Sequence, residues 1–561
     1  MKARTKKSGL LAGLLLGTAF AASAIQVTYQ VNMGMQIALG NFHPGRDTVF
    51  VSGTFSSPIW EQTATDGSTS YLLTPVIGNT NLYTGTFNIV NSVGSTENHK
   101  FVINPGGNFS ALNWELPLST AGANRSFQVP ATATNLPVVY FNDQSPPVLF
   151  PFIAGADFSD LAFFEDRGVA YKDGDQTQDG LSILKDKGLT CVRLRLWTGS
   201  DSLVQTNNPY NYTNNLDYTV PLAVRVKYAG LQFMLDFHYS DTWADPGQQA
   251  TPSAWTNLTF AQLVQQMRTY NSNCIATFKA AGAMPDYVQV GNEITAGMLW
   301  PDGQVSGSDN TSWSQLGQLM KAAIQGIQDA AGTNMPKIVV HIDRGGDWAT
   351  TEWFFDNLNQ QAVPFDIIGE SYYPFFHGPL SNVVNCLTNA AKRYAKPVII
   401  AETAFPWTNS YWTTNIDGFP GTTNGQVEYL VALAQVVKSV PARLGAGIFW
   451  WGAEYQRVSG VNEGGFNTAS FFDSGGNVLP VAGAFGQLVT PVTLNPSLTG
   501  LALTMQWPLS GAGMTLMTTS NLTPPAAWLP VTNAVQNTGT GFGTTLQVNS
   551  SQSRFYRLQS N

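Results

Sequence analysis

From residue 152 the chain repeats one pattern eight times: a short, nearly continuous apolar run, then a longer stretch of mixed polarity. The runs are FIAGADFS (152–159), LTCVRLRLW (189–197), LQFMLDFHYS (231–240) and YVQVGNEI (287–294), then KIVVHID (337–343), FDIIGESYY (365–373), KPVIIAET (396–403) and GAGIFWWGAE (445–454). Continuous apolar runs bounded by crossovers belong to strands buried on both faces, as in a parallel sheet. Helical spacing predicts connecting helices over 178–187, 258–281, 313–331, 380–394 and 425–438. Eight βα units within residues 152–490 predict an α/β fold, a (β/α)8 TIM barrel with long loops. An open doubly wound sheet calls for a glycine-rich turn after its first strand, and the segment after Ser159 has none.

The flanks read differently. Residues 25–143 carry alternating segments such as VTYQVNM, DTVFVSG, LYTGTFNIV and RSFQVP, separated by turn residues, which predicts an antiparallel β-sandwich, either a carbohydrate-binding domain with Trp60 and Trp114 as sugar platforms or a spacer with both in its core. Residues 144–151, with Pro146 and Pro147, read as a stiff linker. Residues 491–561 again read all-β, as a small C-terminal domain. The first 24 residues read as an export signal: Lys2, Arg4, Lys6 and Lys7, then an apolar core over 10–21, then Ala22-Ser23-Ala24 as a small-residue cleavage pattern. That core is shorter than the roughly 20 residues a spanning helix needs, so the expectation is a secreted chain cleaved near Ala24, with no membrane span.

Composition narrows the function. The 561 residues include 28 Lys plus Arg and 36 Asp plus Glu, a net charge of −8, which argues against a nucleic-acid partner. Charged residues are only 11%, against roughly 25% in soluble proteins generally. Hydrophobic residues make up 43%, so the low charge is no sign of disorder. Aromatic residues reach 12%, including 15 Trp, which suits a secreted carbohydrate-active protein, because sugars stack on flat rings. Cys191, Cys274 and Cys386 are odd in number and widely spaced, which makes neither a disulfide framework nor a zinc site.

In a barrel, working residues gather where strands end. The scarce polar groups of this chain fall there: Arg193 and Arg195 in the second run, Asp236 and His238 in the third, and Asn292 and Glu293 in the fourth. His341 and Asp343 follow in the fifth, Glu370, Tyr372 and Tyr373 in the sixth, Glu402 in the seventh, and Trp450 and Trp451 in the eighth. Asp157 closes the first run as a lesser candidate, and Trp243 follows the third as a candidate stacking ring. Glu293 and Glu402 stand out, because strands four and seven lie across the mouth from one another, and glycosidic cleavage needs two carboxyl groups flanking the bond. His238, His341 and Asp343 read as a hydrogen-bond network holding those glutamates, not as a metal triad. Glu165, Glu352 and Glu454 read as solvated or structural.

The motifs GADFSDLAFFEDRGVAY (155–171), VRLRLW (192–197), LDFHYSDTWADPGQQATPSAW (235–255), VQVGNEITAGMLWP (288–301), SYYPFFHG (371–378) and AETAFPW (401–407) resemble glycoside hydrolase family 53, the endo-β-1,4-galactanases, over about residues 152–490. The resemblance implies a secreted, retaining enzyme acting on β-1,4-galactan, with Glu293 as acid/base, Glu402 as nucleophile and Asn292 against the sugar 2-hydroxyl. It also implies a tyrosine and an arginine near the nucleophile; Arg195, Asp236, His238, Trp243, His341, Asp343, Tyr372, Tyr373, Trp450 and Trp451 are then the candidate substrate-binding set. Another retaining hydrolase of the same clan, a β-mannanase or β-glucanase, is the alternative, and a non-catalytic sugar-binding protein a further one. Members of the family often bind calcium in the loop after the seventh strand. Here that loop, 409–425, has Asp417 as its only carboxylate, so no metal and no cofactor are expected. Glu370 fits either an arginine partner or a shifted strand. A monomer is expected.

Overall fold

The computed structural model describes residues 24–62, 70–120, 122–201, 213–410, 416–523, 526–549 and 552–559. The expected export signal thus lies outside the described residues except for Ala24, as do positions 411–415 of the loop after the seventh run. The chain forms two compact units, one of residues up to Gly34 and Phe42–Asp143, the other of Met35–Asn41 and Gln144–Asn561.

The second unit is built on a closed barrel of eight parallel strands in sequence order. They are β1 (Ile153–Asp157), β2 (Cys191–Leu196), β3 (Gln232–Phe237), β4 (Tyr287–Val290), β5 (Lys337–Ile342), β6 (Ile367–Ser371), β7 (Val398–Thr403) and β8 (Gly445–Trp450). Each falls inside one of the eight apolar runs. A helix follows each strand: α1 (Gly180–Asp186), α2 (Leu216–Tyr228), α3 (Phe260–Ala280), α4 (Asn310–Ala331), α5 (Trp348–Gln360), α6 (Leu380–Tyr394), α7 (Thr423–Lys438) and α8 (Pro480–Gln487). Three of these, α2, α5 and α8, escape the helical spacing. Helix α2 carries Pro221 in its interior, a residue that ordinarily ends a helix; here Asn215 caps the start by accepting the Tyr218 N–H.

Strand alternation sorts the side chains. Val192, Leu194 and Leu196 of β2 join the large core shared with the helices, whereas Cys191 joins Ile153, Met234, Tyr287, Val339, Ile367, Ile399 and Phe449 in an apolar floor inside the barrel. Gly155 must be glycine there, because a Cβ would lie 2.4 Å from the Phe449 ring. Two residues further along, the same inward face becomes polar, with Asp157, Arg193, Asp236, Gln289 and His341. This alternation, an apolar floor beneath a charged ring, produces a site on top of a filled barrel.

Also in this unit, residues 495–559 form a four-stranded and a three-stranded antiparallel sheet. Lys438 of α7 donates through Nζ to the carbonyls of Leu488 and Ser510. The three cysteines are buried and free. Among the described residues, no helix is long and apolar enough to cross a membrane.

Among the described residues, the first unit joins nine strands in one connected sheet. Val27, Tyr29 and Val31 are fully buried on alternate positions of the first strand. The Tyr29 ring meets His99 and Phe127 at 5.2 and 5.8 Å, although its strand lies several places from theirs in the sheet. The sheet therefore folds over itself, face to face, in sandwich fashion.

Candidate active site

Arg193 organises the mouth. Its guanidinium, wholly buried, reaches Asp157 at 3.1 Å, Asp236 at 2.8 Å and Glu402 at 2.9 Å. It also donates to Asn292 Oδ1 at 2.9 Å and, through Nε, to Gln289 Oε1 at 3.2 Å. A buried cation needs such a ring of acceptors, since stripping its water is otherwise prohibitive. Arg195, two residues on, serves a different group. It pairs with Asp157 and Asp160 and lies over the rings of Trp243 and Trp451 at 4.3 and 4.9 Å. Of the two arginines, Arg193 is the one on Glu402.

Glu402 is 5% exposed. Its Oε1 faces Arg193, and its Oε2 accepts the Tyr373 hydroxyl at 3.1 Å. The strand pairing explains how it reaches the mouth. Glu370 pairs with Ile400, but Ser371 pairs with Glu402, so Ala401 is an extra residue on β7. Such a bulge re-aims the side chain that follows it.

Glu293 sits just past β4 with φ +48°, a left-handed backbone that costs a non-glycine residue about 1–3 kcal/mol. Its side chain is half-buried and its Oε1 accepts the Ser371 hydroxyl at 2.6 Å. That hydroxyl in turn meets His341 Nε2 at 2.9 Å, and His341 Nδ1 meets Gln289 Nε2 at 3.1 Å. Burial, then the Arg193 charge, holds His341 well below the ordinary imidazole range, so it is neutral. Ser371 spends its proton on Glu293, so His341 donates from Nε2 and accepts at Nδ1 from the Gln289 amide. The chain of donors ends on Glu293.

The two glutamates differ in acidity. Burial pushes Glu402 up to about 7, and Arg193 pulls against that rise without cancelling it. Burial, the Glu402 charge and then the Asp343 charge push Glu293 well above the ordinary range, opposed by Ser371 and more weakly by Arg193. Glu293 therefore keeps its proton when Glu402 has lost one. Asp236 stays ionised: burial raises it, but Arg193 and His238 more than offset this. His238 accepts the Ala244 N–H at Nδ1 and gives its Nε2 proton to Asp236 at 3.0 Å. Asn292 accepts from Arg193 and donates to the Ala244 carbonyl at 2.9 Å. Asp343 accepts the Thr295 hydroxyl at 2.5 Å.

The fold thus brings Glu293, Glu402, Asn292, Arg193, Asp236, His238, His341, Asp343, Tyr373, Trp243 and Trp451 together. Arg195 is taken up by Asp157 and Asp160, and two aromatic candidates turn away. Trp450 donates its indole N–H to the Ala469 carbonyl and packs on Tyr429 and Phe471 in the layer behind the barrel. Tyr372 is fully buried with its hydroxyl on the Gly378 carbonyl. Neighbouring residues at a strand end point to opposite faces, so one member of each aromatic pair enters the mouth. Gln289 is a site residue the sequence did not single out, and Ser371, which stands between Glu370 and Tyr372 at the end of the sixth run, carried no assigned role. Ser371 stood in the SYYP motif and Gln289 was the lone polar residue of YVQV, which was the available signal.

Glu370 is wholly buried and accepts the Arg344 backbone N–H and the Thr351 hydroxyl, both at 3.1 Å. Its partner is thus a backbone amide rather than a guanidinium. Burial pushes its carboxyl well above the ordinary range. Glu454 is also fully buried, accepting the Asp160 N–H at 2.8 Å. In the loop after β7, Asp417 already accepts the Leu380 N–H at 2.8 Å and stands alone as a carboxylate, a donor set that does not fit calcium.

A closed (β/α)8 barrel with two carboxyls of unequal acidity in its mouth, one held by a guanidinium and a phenol, and indole rings beside them, defines a glycoside hydrolase. The profile of Glycosyl hydrolase family 53 matches residues 153–485, and the chain belongs to that family. An uncharacterised protein of Niallia circulans is 41% identical over 54% of this chain and 83% of its own length. The arabinogalactan endo-β-1,4-galactanase of Humicola insolens is 35% identical over 53% of this chain and 88% of its own. A solved fungal β-1,4-galactanase structure matches with TM-score 0.53 and 32% identity, over 60% of this chain and 99% of that one.

Proposed function

We propose that this chain is an exported, monomeric, retaining endo-β-1,4-galactanase that cuts β-1,4-galactosidic bonds of (arabino)galactan. In the first step the Glu402 carboxylate attacks the anomeric carbon while Glu293 gives its proton to the departing glycosidic oxygen. The sugar is left as an ester on Glu402. In the second step Glu293, now ionised, takes a proton from water. The water oxygen forms the new bond to the anomeric carbon, and the electron pair returns to Glu402. Asn292 has one amide N–H left for the sugar 2-hydroxyl, and Trp243 and Trp451 offer ring faces beside Arg195.

The observation that carries this reading is the asymmetry of the two carboxyls. Glu402 lies against Arg193 and Tyr373, which favour a carboxylate, whereas Glu293 is held by one hydroxyl and raised by burial and then by its neighbour's charge. The substrate rests on the names of the family relatives, and export on the basic, apolar and small-residue pattern of residues 1–24. Digestion of potato galactan followed by proton NMR tests it. New reducing ends should appear first as the β anomer. Ends appearing first as the α anomer overturn retention. Release from mannan or cellulose but not galactan overturns the substrate.

A further inference from the structure

The first unit carries two indoles outside its set of buried residues. Trp60 and Trp114 are each half-buried, with ring centroids 6.2 Å apart and planes inclined at 55°. Both are held stiffly. Trp60 has φ +58°, a left-handed conformation unfavourable for a bulky residue, and its N–H donates to the Gly53 carbonyl at 2.9 Å. Glu61, the next residue, donates its N–H to Ser56 Oγ, which donates to the Gly53 carbonyl. Trp114 lies on the strand Asn113–Trp114, paired with Val102 and Ile103. Its neighbour Glu115 turns inward, accepting the Phe101 N–H and pairing with Arg125 at 2.9 Å, which leaves Trp114 on the outer face. Close to them in the chain, Ile59, Leu116 and Leu118 are 67%, 52% and 47% exposed.

Strain and anchoring spent on presenting two aromatic rings beside exposed aliphatic groups mark a binding surface. Among the described residues beside the rings, charge is paired or covered: Lys100 donates to the carbonyls of Glu115 and Gly122, Glu115 faces Arg125, and Glu61 is buried. A neutral ligand with flat apolar faces and polar edges fits, which is a sugar chain. The inclination selects among chains. A backbone linked through equatorial bonds alone runs as a flat ribbon with parallel faces. One axial bond per linkage turns each ring against the last. We propose that Trp60 and Trp114 form a second polysaccharide site, for a neutral chain whose backbone turns at every residue. β-1,4-Galactan, with its axial O4, is one such chain, and α-1,4-glucan, with its axial O1, is another. The inference stands apart from what the barrel cuts.

Affinity electrophoresis of the full chain at low temperature, in gels containing galactan, amylopectin or hydroxyethylcellulose, tests the site. The galactan or the amylopectin gel should retard the protein, and whichever does so names the source. Trp60→Ala and Trp114→Ala should each weaken that retardation about tenfold, and the double variant should lose the component common to both. Trp114→Phe, which keeps a smaller ring, should fall between, and this holds the test open should an alanine variant fail to fold. Any retention by the barrel itself persists in the double variant and is subtracted. Equal mobility of wild type and double variant in both gels overturns the proposal, as does stronger retardation by the flat-ribbon cellulose. Failure of galactan hydrolysis with retained amylopectin binding overturns the galactanase reading alone.

Discussion

Ser371 is the side chain through which the barrel touches the proton of Glu293. Its hydroxyl donates to the ionised carboxylate more strongly than to the acid, so it lowers the Glu293 pKa. Ser371→Ala should move the high-pH limb of the kcat/KM profile further up, because the acid then holds its proton longer. A limb that stays put or moves down contradicts the relay. Glu370 gives a prediction about stability. Its folded pKa is raised above the ordinary 4.5, so the folded state binds the proton that the unfolded chain releases. Stability is therefore lost as pH rises above the unfolded value, at up to about 1.4 kcal/mol per pH unit until the folded pKa is passed. Glu370→Gln keeps an acceptor for the Arg344 N–H and has no proton to lose. The variant should melt above the wild type at pH 7 and level with it near pH 4; equal melting at both pH values contradicts the buried acid. That Glu293 and Glu402 meet at the mouth was legible, because each closes a distinctive run. The choice between Arg193 and Arg195 was not, since which inward arginine faces β7 depends on the barrel's register, and the chain order does not carry that.

Elements place these residues by small irregularities. The eight strands were readable because a strand covered on both faces must be apolar throughout, and such runs are hard to mistake. Helix α2 was hidden by Pro221, and α5 by a mixture of aromatic and polar residues, WATTEWFFDNLNQ, whose spacing is weak. The bulge at Ala401 left no mark in AETAFPW either; it exists only in the pairing of β7 with its neighbours β6 and β8. The turn after β4 is similarly tight. Gly297 has φ +82°, and a Cβ there would lie 2.0 Å from the Gly303 carbonyl oxygen. Gly297→Ala must displace the segment that begins at Glu293. Activity should fall by about 100-fold, since an ångström of misplacement costs that much, while circular dichroism stays that of the folded barrel. Unchanged kcat would show that the turn does not position the acid.

At the scale of the molecule, the boundary read at residue 490 separates sequence patterns, yet residues 144–561 and 35–41 form one compact unit. Met35 and Leu39 belong to the barrel's large core, and Asn41 donates to the Lys392 carbonyl at 3.0 Å. At the other end, Trp507 and Phe542 belong to that core too, and Lys438 spans to Ser510. Neither contact has a local signature in the chain. Every residue of the mouth lies within 150–490, so that fragment should turn over soluble substrate. It should also melt at least about 5 °C below a chain that keeps residues 35–41 and 491–561. Equal melting would make the C-terminal sheets a mere appendage.

The account turns on Glu402 as the group that bonds to the sugar. A 2-deoxy-2-fluoro-β-galactobioside with a dinitrophenyl leaving group should load the enzyme and stall it. Mass spectrometry of the digested protein should then find the added sugar on the peptide containing Glu402. An adduct on Glu293 would reverse the two roles, and an enzyme that turns over the same compound with no adduct on either glutamate would contradict the double displacement.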